Sequence, residues 1–391
     1  MKRELARLIG SQVFLHASMA GMRMATPLLA LGQGYSAMAV GFLLSLFALT
    51  QVFLALPAGR YADRRGMRKL VLYSVCASGS GAALAALWPV YPVLCLSAMA
   101  TGGATGILVI ALQRHVGRMV QGSGDLRTAF SWLSIGPAFS NFIGPVLAGL
   151  MIDYAGSRAA DETGFRAAFV LMALLPLVTW LGLRKVPEQR TATPVDAKGS
   201  RRVLDLVRQP MMMRLLGINW LLASCWDVHT FVVPVLGHER GLSASVVGTL
   251  LGSFALAAAF IRIMLPWVSR HLKEYQIITM AMCSTAVLFA AYPWMNSAWT
   301  MGLCSVLLGL VLGMVQPMIM STLHQITPAH RQGEALGLRM LSINASSVLM
   351  PMVFGAAGAV AGVAPVFWVV GAAVGSGARL AWRLRPTAKL H

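Results

Sequence analysis

Residues 59–69 read GRYADRRGMRK, five cations and one acid set between two apolar runs, 40–58 (VGFLLSLFALTQVFLALPA) and 70–87 (LVLYSVCASGSGAALAAL). Each run approaches the ~20 apolar residues that a helix needs to cross a bilayer. A short basic segment between two such runs reads as a loop retained on the cytoplasmic side. Within it, Gly59 allows two helices to approach closely and Gly66 permits a tight turn. Asp63, the one acid among Arg64, Arg68 and their basic neighbours, is placed to cap a nearby helix N-terminus and hold one conformer closed.

The rest of the chain extends this pattern. Of 391 residues, 57% are hydrophobic and 12% charged, about half the charged fraction of an ordinary soluble domain. Mean hydropathy is +0.69. A soluble enzyme is excluded, and an all-α integral membrane protein is expected. The net charge of +19 would point to nucleic acid in a soluble chain. Here the distribution of the charges explains it and no nucleic acid is needed. The five cysteines lie in apolar stretches without CxxC spacing and read as packing residues. Lys2, Arg3 and Arg7 resemble the start of a signal peptide, but the apolar run continues to about Leu31 and reads as an uncleaved first span.

Hydrophobic runs predict twelve transmembrane helices, at about 8–31, 37–59, 70–88, 92–113, 128–152, 165–184, 213–237, 244–268, 275–294, 298–324, 335–361 and 363–382. Residues 185–212 form the one long charged linker, dividing the chain into six-helix bundles at 1–184 and 213–391. With the N-terminus inside, cytoplasmic segments carry 27 Lys+Arg and outer loops three: Arg158, Arg166 and Arg240. That asymmetry puts both termini in the cytoplasm and implies a bacterial inner membrane. The halves repeat without gaps at an offset of 207. Pro27, Gly34, Ser36, Ala37, Val40, Gly41 and Phe47 recur as Pro234, Gly241, Ser243, Ala244, Val247, Gly248 and Phe254. Two pseudo-repeated six-helix bundles are an architecture of secondary transporters, which bind substrate between the repeats near the bilayer midplane.

At Gly59, Asp63, Arg64, Gly66 and Arg68 the basic loop resembles the signature of the major facilitator superfamily. Gly136, Pro137, Gly144, Pro145 and Gly149 of the fifth span resemble the antiporter signature of its twelve-helix drug:proton branch. The resemblance implies alternating access, efflux and a monomer. One departure bears on coupling. The branch usually carries an arginine early in the fourth span, and LCLSAMATGGATG (94–106) has none. Arg114 and Arg118, at the cytoplasmic end of that span, are poor substitutes.

A charge in hydrocarbon costs roughly 2.5–3.5 kcal/mol on insertion scales. Asp227, in the seventh span, is the one mid-span acid, and Arg23, in the first, is the buried cation, with His16 two turns away on its face. By the 207 offset Arg23 corresponds to Thr230 and Asp227 to Ala20, so the two charges lie about 4–5 Å apart in depth. An Arg23–Asp227 interaction across the cavity is expected. Burial disfavours a charged carboxylate and a nearby guanidinium favours it, so Asp227 and Arg23 are the proton-coupling candidates, together with His229, two residues on and nearly on the opposite side of the helix. A permanent ion pair is the structural alternative. Substrate-cavity candidates are Arg23, His16, Gln51, Asn141, Trp226, Arg262, Gln316 and Asn344, although helix–helix hydrogen bonding is the ordinary role of such groups, and Arg262 is close enough to the cytoplasmic end to snorkel.

These residues predict a proton-coupled exporter of a small organic substrate. The alternative is a carrier of an anionic metabolite or siderophore-like compound, held by Arg23 and Arg262. A copper transporter is a minor reading, resting on His115-x-x-x-Met119 and Met314-x-x-x-Met318. No cofactor or metal site is expected. The histidines at 115, 238, 271, 324 and 330 are dispersed, giving a membrane enzyme no cluster, and the chain has no GxxxxGK[ST] for a nucleotide-driven pump.

Overall fold

The computed structural model describes residues 2–65, 67–119, 133, 135–157, 161–186, 204–268, 272–327 and 331–385. Twelve long α-helices account for most of them: α1 (Lys2–Gly32), α2 (Ala37–Arg65), α3 (Arg68–Leu87), α4 (Tyr91–Met119), α5 (Ile135–Tyr154), α6 (Glu162–Leu183), α7 (Pro210–Glu239), α8 (Ala244–Val268), α9 (Glu274–Ala291), α10 (Ala298–Ile326), α11 (Gln332–Ala361) and α12 (Ala364–Trp382). The described residues also hold the single helical turn Leu204–Val207 and a 3-10 turn at Tyr292–Trp294, and no strand. The chain is a multi-pass membrane protein, all-helical among the described residues.

Several helices outrun their apolar segments. α2 continues six residues past Gly59 to Arg65, so much of the basic segment is helix and not loop, and α7 begins at Pro210, inside the segment expected to be linker. Backbone hydrogen bonding does not stop where hydrocarbon stops, and long basic side chains can extend into the headgroup layer. Residues 128–132, 187–203 and Arg158 lie outside the described residues.

Among the described residues, ten helices are long and apolar enough to cross a membrane by length and composition; the described parts of α1 and α5 are not among them. These two pack tightly on each other: a Cβ on Gly144 of α5 would overlap the Ala17 carbonyl of α1. Residues 17–22 and 24–30 of α1 are all buried. α1, screened from lipid by other helices over much of its length, needs less hydropathy, which leaves room for Arg23 and His16.

The repeat is reproduced bond by bond at the turns. Gly34 and Gly241 both take positive φ, at 84° and 66°, a backbone that glycine adopts without a Cβ penalty. Tyr35 N donates to Ala30 O and Leu242 N to Gly237 O; Ser36 and Ser243 accept from Ala39 N and Val246 N, each at 3.4 Å. Deeper in, a Cβ on Gly102 would overlap the Phe47 carbonyl, and one on Gly309 would overlap that of Phe254, again 207 residues on.

The halves meet along α2/α11 and α5/α8. A Cβ on Gly41 would overlap the Pro351 carbonyl and one on Gly248 would overlap that of Pro145, so these crossings bring backbone onto backbone. Both lie toward the Gly32–Ala37 end of α1 and α2, the face opposite the N-terminus.

Candidate functional site

The cavity lies where four helices of the two halves converge. It is lined by Ala20, Arg23 and Met24 of α1, Asn141 and Pro145 of α5, Trp226 and Thr230 of α7, and Leu251, Phe254 and Ala255 of α8. One wall is aromatic, with the Trp226 and Phe254 centroids 4.6 Å apart and the rings at 69°. Opposite in chemistry are the Arg23 guanidinium, whose Nε has no hydrogen-bond partner, and the Asn141 amide, whose Nδ2 donates to Pro137 O at 2.9 Å.

Arg23 and Asp227 do meet: Nη2 lies 3.6 Å from Oδ1. The acid is 3% exposed and the arginine side chain 25%, so Arg23 borders the cavity and Asp227 sits behind it. Two hydroxyls from α11 complete its shell, Ser346 Oγ donating to Oδ2 at 2.9 Å and Ser347 Oγ to Oδ1 at 3.2 Å. Two hydrogen bonds and a cation are the sort of compensation a buried carboxylate requires. Ser346 and Ser347 were not legible as partners of Asp227. A pair of small polar residues in the apolar run SINASSVLM is the only signal, and it does not say which helix they face.

The other candidates separate. Trp226 and Asn141 line the cavity. His229 points away from it, to Ser305 Oγ at 3.0 Å. His16 is half-buried in α1 with a buried, unpartnered Nδ1, outside the lining. Gln51 packs against α4, where a Cβ on Gly106 would sit 3.0 Å from its Cγ. Arg262 donates from Nε to Gly313 O at 3.3 Å, bound to α10 and not to the cavity. Gln316 accepts from Arg339, a 7%-exposed cation of α11 that the sequence reading passed over. Asn344 is half-buried on α11, outside the lining. His115, read with Met119 as a metal pair, lies 3.2 Å from Glu4. Among the described residues no group of three or more His, Cys, Asp or Glu gathers as for a metal ion.

The fifth-span motif is packing surface on both flanks. A Cβ on Gly136 would lie 3.5 Å from Ile9 O, Gly144 fits under Ala17, Pro145 lends its carbonyl to Gly248, and Gly149 faces the Ala244 carbonyl. Just beyond, Asp153 reaches from α5 into the other half and accepts from Ala244 N at 3.1 Å and Ser245 N at 2.7 Å, at the start of α8. Of the basic motif, Gly59 lies beside Arg114, with 3.7 Å between its would-be Cβ and the guanidinium, and Arg68 opens α3. The side chains of Asp63 and Arg64, and Gly66, lie outside the described residues.

A family model described as the Major Facilitator Superfamily matches residues 8–338. The chain belongs to this superfamily. It is 24% identical over 321 residues to the class B tetracycline resistance protein of Escherichia coli, covering 80% of this chain and 77% of that one. It is 22% identical over 334 residues to multidrug resistance protein 1 of Bacillus subtilis strain 168, covering 82% and 80%. Among solved structures, a D-xylose-proton symporter superposes with TM-score 0.77 at 13% identity, covering 99% of this chain and 98% of that one. For a major facilitator protein, a cavity between the halves is the place to look for transported compound. Arg23 borders this cavity, and its partner Asp227 comes from the other half.

Proposed function

We propose that this transporter exports small organic compounds from bacterial cells by proton-coupled alternating access in the inner membrane. The observation that carries the reading is the cross-half pair: Arg23 on α1 borders the cavity while Asp227 on α7 holds it from behind. A proton on Asp227 removes the charge that holds Arg23, leaving Ser346 and Ser347 in contact with the acid within its own half. The link between halves weakens, and Arg23 is freed toward the cavity. Loss of the proton on the other side restores the link. Proton movement and rearrangement of the halves thus share one residue pair. The efflux direction draws support from the tetracycline and multidrug resistance relatives. With both termini cytoplasmic, the Gly41/Pro351 and Gly248/Pro145 crossings close the outer side, and this conformer faces inward.

The test uses purified protein in liposomes with an internal pH dye and an imposed proton gradient, with tetracycline and ethidium as probes. Wild type should show compound-dependent proton flux, and Asp227→Asn should reduce it to background while still binding compound. Proton flux retained by Asp227→Asn would make the pair a structural tie. Compound movement without proton flux would refute coupling by protons.

A second reading has one observation in its favour. The unpartnered Nε of Arg23 at the cavity suits a carboxylate or similar anionic group on the compound. In the same assay Arg23→Gln would then lose anionic compounds selectively and keep neutral ones.

A further inference from the structure

His229 is fully buried in α7, and its ring lies flat against Phe254, with centroids 4.1 Å apart and planes 18° apart. Phe254 forms the aromatic wall of the cavity with Trp226. Behind His229 the contacts continue. Its Nε2 meets Ser305 Oγ of α10 at 3.0 Å, and the same oxygen meets the Tyr292 hydroxyl at 2.9 Å. Tyr292 is itself fully buried and stacks on Phe367 of α12 at 4.6 Å, which meets Phe289 of α9 edge-on at 5.1 Å. A continuous row of rings and hydroxyls therefore runs from the cavity to the buried contact between α9 and α12. A Cβ on Gly309 would overlap the Phe254 carbonyl, so α10 fixes the backbone of Phe254 while His229 fixes its ring.

The surroundings argue against His229 as a proton carrier. Its Nδ1 is buried without a partner, so the site serves one ring nitrogen, whereas an imidazolium presents two donors. Asp227, two residues away, turns to Ser346 and Ser347 on α11. We propose that His229, tied through Ser305 to Tyr292, is a positioning residue that holds Phe254, and through it Trp226, as the stacking wall for transported compound. It sets affinity and leaves the transported proton to other groups. The inference rests on the reading of this cavity as the compound's site.

The experiment compares Ser305→Ala, Tyr292→Phe, His229→Phe and His229→Gln with the wall variants Trp226→Ala and Phe254→Ala, all in the full chain. Binding of tetracycline and ethidium is measured in detergent, and protons moved per compound in liposomes. The wall variants should weaken binding most. Ser305→Ala and Tyr292→Phe should each weaken it roughly threefold to tenfold, the scale of one hydrogen bond. His229→Phe, which keeps the stacked ring, should lose less than His229→Gln, and adding Ser305→Ala to His229→Phe should cost nothing further. The proton-to-compound ratio should not change in any of them. A compound-free arm follows Trp226 emission, obtained by difference against Trp226→Phe, which should shift in Ser305→Ala and Tyr292→Phe. Loss of proton flux in the His229 variants, with Ser305→Ala and Tyr292→Phe binding like wild type, would make His229 a proton carrier and overturn the proposal. Unaltered binding and emission in the strut variants, with the wall variants impaired, would overturn it while the cavity reading stood. Unaltered binding in the wall variants would remove the cavity reading first.

Discussion

The two halves copy one scaffold and divide one chemistry. At the 207 offset, Gly34 and Gly241 turn alike, and Gly102 and Gly309 admit the carbonyls of Phe47 and Phe254 in the same way. At an offset of 206, Ser140 and Asn141 of α5 match Ser346 and Ser347 of α11. Yet the acid occurs once. Ala20 stands where the second half has Asp227, and Thr230 stands where the first half has Arg23. Repeated turns and close crossings bring the copies to the same depth. Breaking the repeat at the charges makes the ion pair a contact between halves, not within one. Had each half kept its own acid and base, the pair could satisfy itself locally and report nothing about how the halves are arranged.

The largest effect should come from moving the acid to its repeat position. Ala20→Asp combined with Asp227→Ala places a carboxylate one turn from Arg23 on the same helix, near the polar residue Asn141. Charge and depth are nearly conserved; the span between halves is lost. Proton-coupled transport should fall about 100-fold or more, the scale of removing a positioned proton-transfer group. Recovery to within about tenfold of wild type, by the internal-dye assay, would show that an acid at this depth suffices and that the cross-half placement is incidental.

Next come the paired crossings. Gly41→Val and Gly248→Val each push a side chain into a proline carbonyl across the halves. Overpacking of this kind costs about 1–3 kcal/mol, paid selectively by the conformer in which these faces touch. Both variants should shift the halves toward separation on that face, read as a longer spin-label distance across it. If the crossings are true copies, the two shifts should be similar. Gly59→Ala, whose Cβ would meet no described neighbour closer than 3.7 Å, is the quiet control.

The sequence made this scaffold legible because periodicity survives translation: a glycine at a turn and a glycine at a crossing recur at a fixed interval whatever lies between. The Arg23–Asp227 pair was legible for a related reason, since unpaired charges in hydrocarbon are costly and the offset put these two at one depth. Ser346, Ser347 and Arg339 were not, because a partner's identity depends on which face of a neighbouring helix it meets, and no single-helix pattern encodes that. Gln51, Arg262 and Gln316 were drawn into the cavity by polarity alone. In the structure Gln51 packs against α4, Arg262 bonds a carbonyl of α10, and Gln316 accepts from Arg339. That His229 turns away from Asp227 was legible, because two residues along a helix turn a side chain through about 200°; that it meets Ser305 was not.

Asp153 marks a second break in the repeat and a smaller effect. It accepts from the first amides of α8, whereas Ala359 is its match on α11 at the 206 offset, so among the described residues α5/α8 carries a polar tie that α2/α11 lacks. Asp153→Ala removes two charge-assisted bonds at a helix start, where a capping side chain contributes about 1–2 kcal/mol. The spin-label distribution across α5/α8 should move toward the open form by roughly fivefold or more in population, with α2/α11 following because the halves move together. No change at either crossing would mean the carboxylate is replaced by solvent at no cost.

The smallest effect is also the most direct measure of how faithfully the scaffold was copied. Gly34 and Gly241 have no neighbour within 4 Å of a would-be Cβ, so a substitution there meets only the backbone's own preference. At φ of 84° and 66° that preference costs an L-residue about 1 kcal/mol. Gly34→Ala and Gly241→Ala should therefore lower thermal stability by nearly the same small amount, leave the proton-to-compound ratio untouched, and add in the double variant, because the two turns lie in different halves without shared contacts. Unequal losses would show that one turn carries a load the other does not. The candidate is the turn after α7, where Arg240 donates to the carbonyls of Met295 and Pro293 and so ties the helix end to the segment leading into α10. Gln33, at the matching position after α1, instead donates through its amide to Pro89 O at 2.6 Å. A neutral amide and a guanidinium thus do the same tethering in the two halves, and a larger loss at Gly241 than at Gly34 would measure what the charge adds.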